Sequence, residues 1–76
     1  MKKQTEQAER EAARRRSYGK WCRLMRQARG WTQEGLARRA DVSLSTVVKC
    51  ERGRHYPQPL QRAAIEAAFG AAPEAR

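Results

Sequence analysis

The chain has 76 residues, enough for one small domain whose single core is marginal by itself. Its 17 basic and 8 acidic side chains leave a net charge of +9, which favours a polyanionic partner, nucleic acid before an acidic membrane surface. No apolar run approaches the ~20 residues of a membrane span, and no hydrophobic stretch follows the basic N-terminus as in a secretory signal.

Charge is unevenly spread. Residues 1–17 carry +3, residues 18–54 carry +6, and residues 55–76 are neutral. The first 17 residues have alanine as their only apolar type after Met1. Good helix formers from Thr5 to Arg16, with a favourable i,i+4 pair between Glu11 and Arg15, suit a frayed basic arm or a solvated helical extension. Lys2, Lys3, Arg10 and Arg14 to Arg16 could reach phosphates from such an arm. Tyr18 to Arg29 reads as the first core helix, with Trp21, Leu24, Met25 and Ala28 at i, i+3, i+4, i+7 and Gly30 ending it. Cys22 falls off that stripe and is expected to be partly exposed. Trp31 precedes a cap and is expected to pack as a hydrophobic staple over the next helix.

Thr32 suits an N-cap, Glu34 sits in the first turn, and Leu36, Ala37 and Ala40 share one helical face. Asp41-Val42-Ser43 breaks the pattern. Ser43 can cap a second helix that turns Val47 and Cys50 inward and stops before Gly53. Two short helices joined by so short a turn must cross sharply around shared apolar residues. That is a helix-turn-helix, whose second helix can enter the major groove of DNA. Arg54-His55-Tyr56-Pro57-Gln58-Pro59 reads as a turn, and a last helix starts near Pro59. Leu60, Ala64, Ile65, Ala68 and Phe69 are expected on its inner face, Gly70 closes it, and residues 71–76 form a short tail.

Arg26, Thr32-Gln33-Glu34 with Leu36-Ala37, Val42-Ser43, Glu51, Gly53 and Pro57 together resemble the lambda-repressor/Cro (Xre-type) DNA-binding domain over about residues 18–70. The resemblance implies an all-α fold, a compact bundle of four core helices around a helix-turn-helix, here preceded by a basic N-terminal arm or helical extension at 1–17. It also implies a partly buried salt bridge between Arg26 and Glu51, and a phosphate contact by Gln33, which braces a side chain of the second motif helix. Two residues depart from the pattern. Asp41 stands at a left-handed turn position usually held by glycine, and Gly35 stands where glutamate is common, inside a helix it should weaken. Residues 71–76 are too few for the fifth helix that relatives often use to dimerise, so the dimer surface is not expected to be of that kind.

The expected function is a sequence-specific, double-stranded DNA-binding transcriptional regulator of the repressor kind, reading the major groove with helix 43–52. Leu44, Ser45, Val48 and Lys49 face outward in this geometry. Leu44 and Val48 suit thymine methyls, while Ser45 and Lys49 can hydrogen-bond base edges. Gln33, Ser43, Arg52 and Arg54 are expected on phosphates, which fix register rather than choose sequence. One module makes few base contacts, so a homodimer on half-sites about 34 Å apart is expected. The alternative is a protein-interaction module on the same fold, an antitoxin or an antagonist of another regulator.

No enzyme is expected, because the chain has no nucleophile–base constellation, one histidine and no glycine-rich phosphate loop. Neither a cofactor nor a small-molecule ligand is indicated. Two cysteines without a CxxC pair complete no metal site of known spacing. They read as reduced thiols of a cytoplasmic protein.

Overall fold

The computed structural model describes residues 2–70. Met1, the side chains of Lys2 and Lys3, and the expected tail at 71–76 lie outside the described residues. Among the described residues four helices follow one another: α1 (Lys2–Ala28), α2 (Gln33–Ala40), α3 (Leu44–Glu51) and α4 (Pro59–Ala68). α1 packs on α3, and α2 packs on both α3 and α4. The fold is therefore all-α, a four-helix bundle in which α3 is held from two sides and keeps one long face outward.

α1 is a single 27-residue helix that passes position 17 without a break. From Gln4 to Ala13 its side chains are exposed, apart from half-buried Ala12. Contact with the bundle begins at three successive arginines. The Arg14 guanidinium lies 4.7 Å from the centre of the Tyr56 ring. Arg15 Nε donates to the Gly53 carbonyl at 3.3 Å. The Arg16 stem lies against Gly53, where an added Cβ would come within 3.1 Å of its Cγ. These contacts fasten the start of the core half of α1 to the loop that follows α3.

The inner face of α1 differs from the expected stripe by roughly a quarter turn. Cys22, expected to be partly exposed, is fully buried at 1% exposure, whereas Leu24, expected inward, is 52% exposed. Ala28 is exposed as well. The cause is a close approach between backbones. A Cβ on Gly19 would lie 2.2 Å from the Cys50 carbonyl oxygen. Glycine at 19 and a small thiol at 22 let α1 settle against α3, and the larger Leu24 is turned to solvent by the same rotation. Trp21 is left half-buried at the margin, edge-on to Phe69 with ring centres 5.4 Å apart.

Cys22, Leu36, Ala37, Ala40, Val47, Cys50, Ile65 and Phe69 form the core. Leu60, expected on the inner face of α4, is 85% exposed. Ile65 and Phe69, one turn apart, set the phase of that helix, and Leu60 lies about 140° away around the axis. Trp31 packs against the core cluster that includes Leu36 of α2, and the Arg39 guanidinium sits 4.2 Å from the centre of an indole ring. Its ring also stacks on Phe69, the residue that caps the end of α4, at 5.8 Å and 11°.

α1, α2 and α3 end in the same hydrogen-bonded motif, with Gly30, Asp41 and Gly53 in the left-handed region. After α3, Gly53 N–H donates to the Cys50 carbonyl at 3.0 Å and Arg54 N–H to the Lys49 carbonyl at 2.9 Å, the paired bonds of a Schellman turn. After α2 the residue in that role is Asp41, at φ 55° and ψ 46°. A side chain there carries a cost that glycine avoids. Asp41→Gly is therefore expected to raise the melting temperature by about 4–8 °C, the equivalent of about 1 kcal/mol in a domain of this size. A thermal melt giving an unchanged or lower value would contradict this strain.

Candidate nucleic-acid interface

The three residues Asp41, Val42 and Ser43 separate α2 from α3. Thr32 Oγ1 accepts the Gly35 N–H at 2.9 Å, and Ser43 Oγ accepts the Thr46 N–H at 3.1 Å, so each helix begins on a hydroxyl cap. Ser43 Oγ also pairs with Thr46 Oγ1 at 2.8 Å. The hydroxyl expected on a phosphate is therefore already engaged at the start of α3, though Ser43 remains exposed.

α3 divides cleanly along its length. Val47, Cys50 and Glu51 are buried. Leu44, Ser45, Lys49 and, just past the helix, Arg52 are exposed, and Val48 is half-buried among them. The four side chains expected to read bases thus lie on one outward strip, with Leu44 at 40% exposure.

Glu51 fixes how that strip is held. Arg26 Nε donates to Glu51 Oε2 at 2.7 Å, and Arg26 Nη2 donates to Glu51 Oε1 at 2.9 Å. The pair is bidentate, with Arg26 and Glu51 side chains 13% and 4% exposed. The third arm of the guanidinium, Nη1, donates to the Trp31 carbonyl at 2.8 Å. Gln33 Nε2 adds a bond to Glu51 Oε1 at 3.1 Å. One carboxylate therefore ties α3 to α1 and to the first residue of α2. Hydrogen bonding to Glu51 pushes the Arg26 guanidinium above its ordinary range. By charge counting Arg26 would join the DNA contacts, but each of its three nitrogens already donates inside the protein.

The two cysteines meet behind the strip. The Cys50 thiol donates to Cys22 Sγ at 4.0 Å, and both sulfurs are free and buried. Buried thiols of this kind are packing groups, here between α1 and α3.

Beyond α3 the chain offers Arg52 and Arg54, both exposed. Tyr56 is half-buried, its ring flanked by Arg14 at 4.7 Å and Arg62 at 4.5 Å. Arg38 is exposed on α2, while Arg39 is drawn over Trp31. Sequence reasoning overlooked Gly19 and the Arg15 bond to Gly53. The signal for the first was a glycine in the middle of a helical pattern, which often marks a close approach.

No helix among the described residues is long and apolar enough to cross a membrane. No group of three or more His, Cys, Asp or Glu side chains gathers among them to hold a metal ion. Comparison with curated proteins and with solved structures finds no match. The family described as a helix-turn-helix domain matches residues 22–76, which takes in α2, the turn, α3, α4 and the second half of the core segment of α1. A match over more than half the length, on a chain that folds into two capped helices across a three-residue turn, places this protein in the helix-turn-helix domain family.

Proposed function

We propose that the protein is a sequence-specific, double-stranded DNA-binding transcriptional regulator of the repressor kind, with α3 as its recognition helix. The observation that carries this reading is the outward strip of α3. Leu44 and Val48 are not fully buried, beside Lys49 and Arg52, on a helix whose other side is locked by the Glu51 network. Apolar side chains shown to water bring no stability, but in the major groove they meet thymine methyls. Lys49 can donate to guanine O6 and N7, and Ser45 to a base edge.

Arg52 and Arg54 hold phosphate on one side of the helix. The start of α2, with Gln33, and the backbone N–H groups at the start of α3, beside the exposed Ser43, hold it on the other. The protein works as a homodimer on paired half-sites, since one short helix reads few base pairs. It acts in the cytoplasm, where its thiols stay reduced.

Two substitutions separate reading from gripping. Lys49→Ala should lose discrimination between cognate and random duplex by about 1–3 kcal/mol. Arg54→Ala should weaken every sequence alike and reduce the slope of log affinity against log salt by about 1. Titrations of both variants on cognate and random DNA check this, with the cognate first selected from a random duplex library. Identical behaviour of the two variants would overturn the division of roles. A wild-type protein whose binding to random duplex ignores salt would favour the protein-interaction module instead.

A further inference from the structure

Residues 14–29 hold seven basic side chains and no acidic one. The charged heads of four of the seven are committed within the fold. Arg14 lies over Tyr56, Arg15 bonds the Gly53 carbonyl, and Arg26 bonds Glu51. Arg29 donates to the Phe69 carbonyl at 2.6 Å. The remaining three, Arg16, Lys20 and Arg23, are all exposed. Their spacing, i, i+4, i+7, places them on one face of α1, where like charges destabilise a helix.

This stripe borders a groove of about 250 Å³ lined by Arg16, Lys20, Arg23, Glu51, Arg52 and Gly53. The groove's carboxylate offers no compensation, since both Glu51 oxygens are bound by Arg26 and one also by Gln33. Arg52 follows Lys49 by three residues on the same side of α3. A cationic track therefore leads from the outward strip of α3 across Arg52 onto α1.

We infer that this groove seats the sugar–phosphate backbone of duplex DNA next to the stretch α3 reads, with Arg16, Lys20 and Arg23 as a three-cation clamp; this rests on the DNA-binding reading above. The stripe runs about 10 Å along the helix. One strand of a duplex presents about three phosphates over that axial distance. A free phosphate would occupy only part of the stripe. The exposed charge costs the free protein stability, and counterion release on DNA offsets that cost.

The test is the variant Arg16→Gln/Lys20→Gln/Arg23→Gln, with Lys20→Gln alone as a milder companion. Each is titrated on random and selected duplexes across a salt series. The triple variant should lose close to 3 from the magnitude of the salt slope, at about 0.9 per phosphate, and Lys20→Gln about 0.9. Preference between the selected and random duplex should stay as in the wild type, because phosphate contacts carry no sequence information. The melting temperature at low salt should be equal or higher, since repulsion along α1 is relieved.

A wild-type protein with a steep slope that both variants share would overturn the clamp and leave the DNA reading intact. A lowered melting temperature in the triple variant would also overturn it, by assigning the stripe to the fold. A wild type with no salt-dependent duplex binding would overturn the DNA reading and the clamp together.

Discussion

Glu51→Ala should cost about 3–5 kcal/mol, the range for breaking a buried ion pair by removing one partner. A domain of 76 residues has about 4–11 kcal/mol of stability in total, so the variant should lose from about a quarter of it to all of it. The loss comes from Arg26. Its guanidinium donates twice to Glu51, and its side chain is 13% exposed. Without the carboxylate it is a largely buried cation with only the Trp31 carbonyl as partner. Gln33 loses its acceptor as well.

Chemical denaturation of the single and paired variants checks the assignment. Arg26→Met/Glu51→Leu should be less destabilised than the sum of Arg26→Met and Glu51→Leu, because each single variant leaves the other group unpaired. An unchanged denaturation midpoint for Glu51→Ala would mean that the bridge does not hold α3 in place.

Gly19→Ala tests the α1–α3 approach, and local and tertiary reasoning give opposite signs for it. Inside an exposed helix the change would stabilise by about 1 kcal/mol. Here the new methyl would lie 2.2 Å from the Cys50 carbonyl oxygen, a backbone atom that no rotamer change can move. Overpacking of this kind costs about 3 kcal/mol at the upper end of its usual range. The difference, about 2 kcal/mol, should lower the melting temperature by roughly 8–16 °C. A thermal melt in which Gly19→Ala is more stable than the wild type would show that α1 can move away from α3 without loss. The wild-type core, with Cys22 and Cys50 packed between the same helices, would then be looser than the distances indicate.

How much of this was legible beforehand depended on the range of the interaction responsible. The Thr32 and Ser43 caps, the left-handed Asp41 and Gly53, and the Pro59 start of α4 are decided within four or five residues of chain. Hydroxyl reach, glycine sterics and the missing proline N–H act at that range, so residue identities alone suffice. The outward set on α3 follows from the same short periodicity once Val47 and Cys50 point inward. The pairing of Arg26 with Glu51 spans 25 residues, and resemblance to a family, rather than spacing, pointed to it.

Where periodicity failed, a contact from elsewhere in the chain had set the phase. Trp21, Leu24, Met25 and Ala28 make the more apolar stripe on paper, yet α1 turns Gly19 and Cys22 toward α3. Leu60 has the right chemistry for a core, but Ile65 and Phe69 reach it first. Hydrophobic counting weighs how much surface a face can bury. It does not weigh how near two backbones can come.

Local sequence thus determined that there would be two short capped helices across a tight turn, one of them carrying Leu44, Ser45, Val48 and Lys49 on a single side. The tertiary structure alone decided which way α1 faces, which of its basic side chains are spent on the protein, and which three remain along the groove beside Gly53. The physical reason is that caps and periodicity act along one segment. The rotation of a long helix is settled only where its smallest residues meet another backbone.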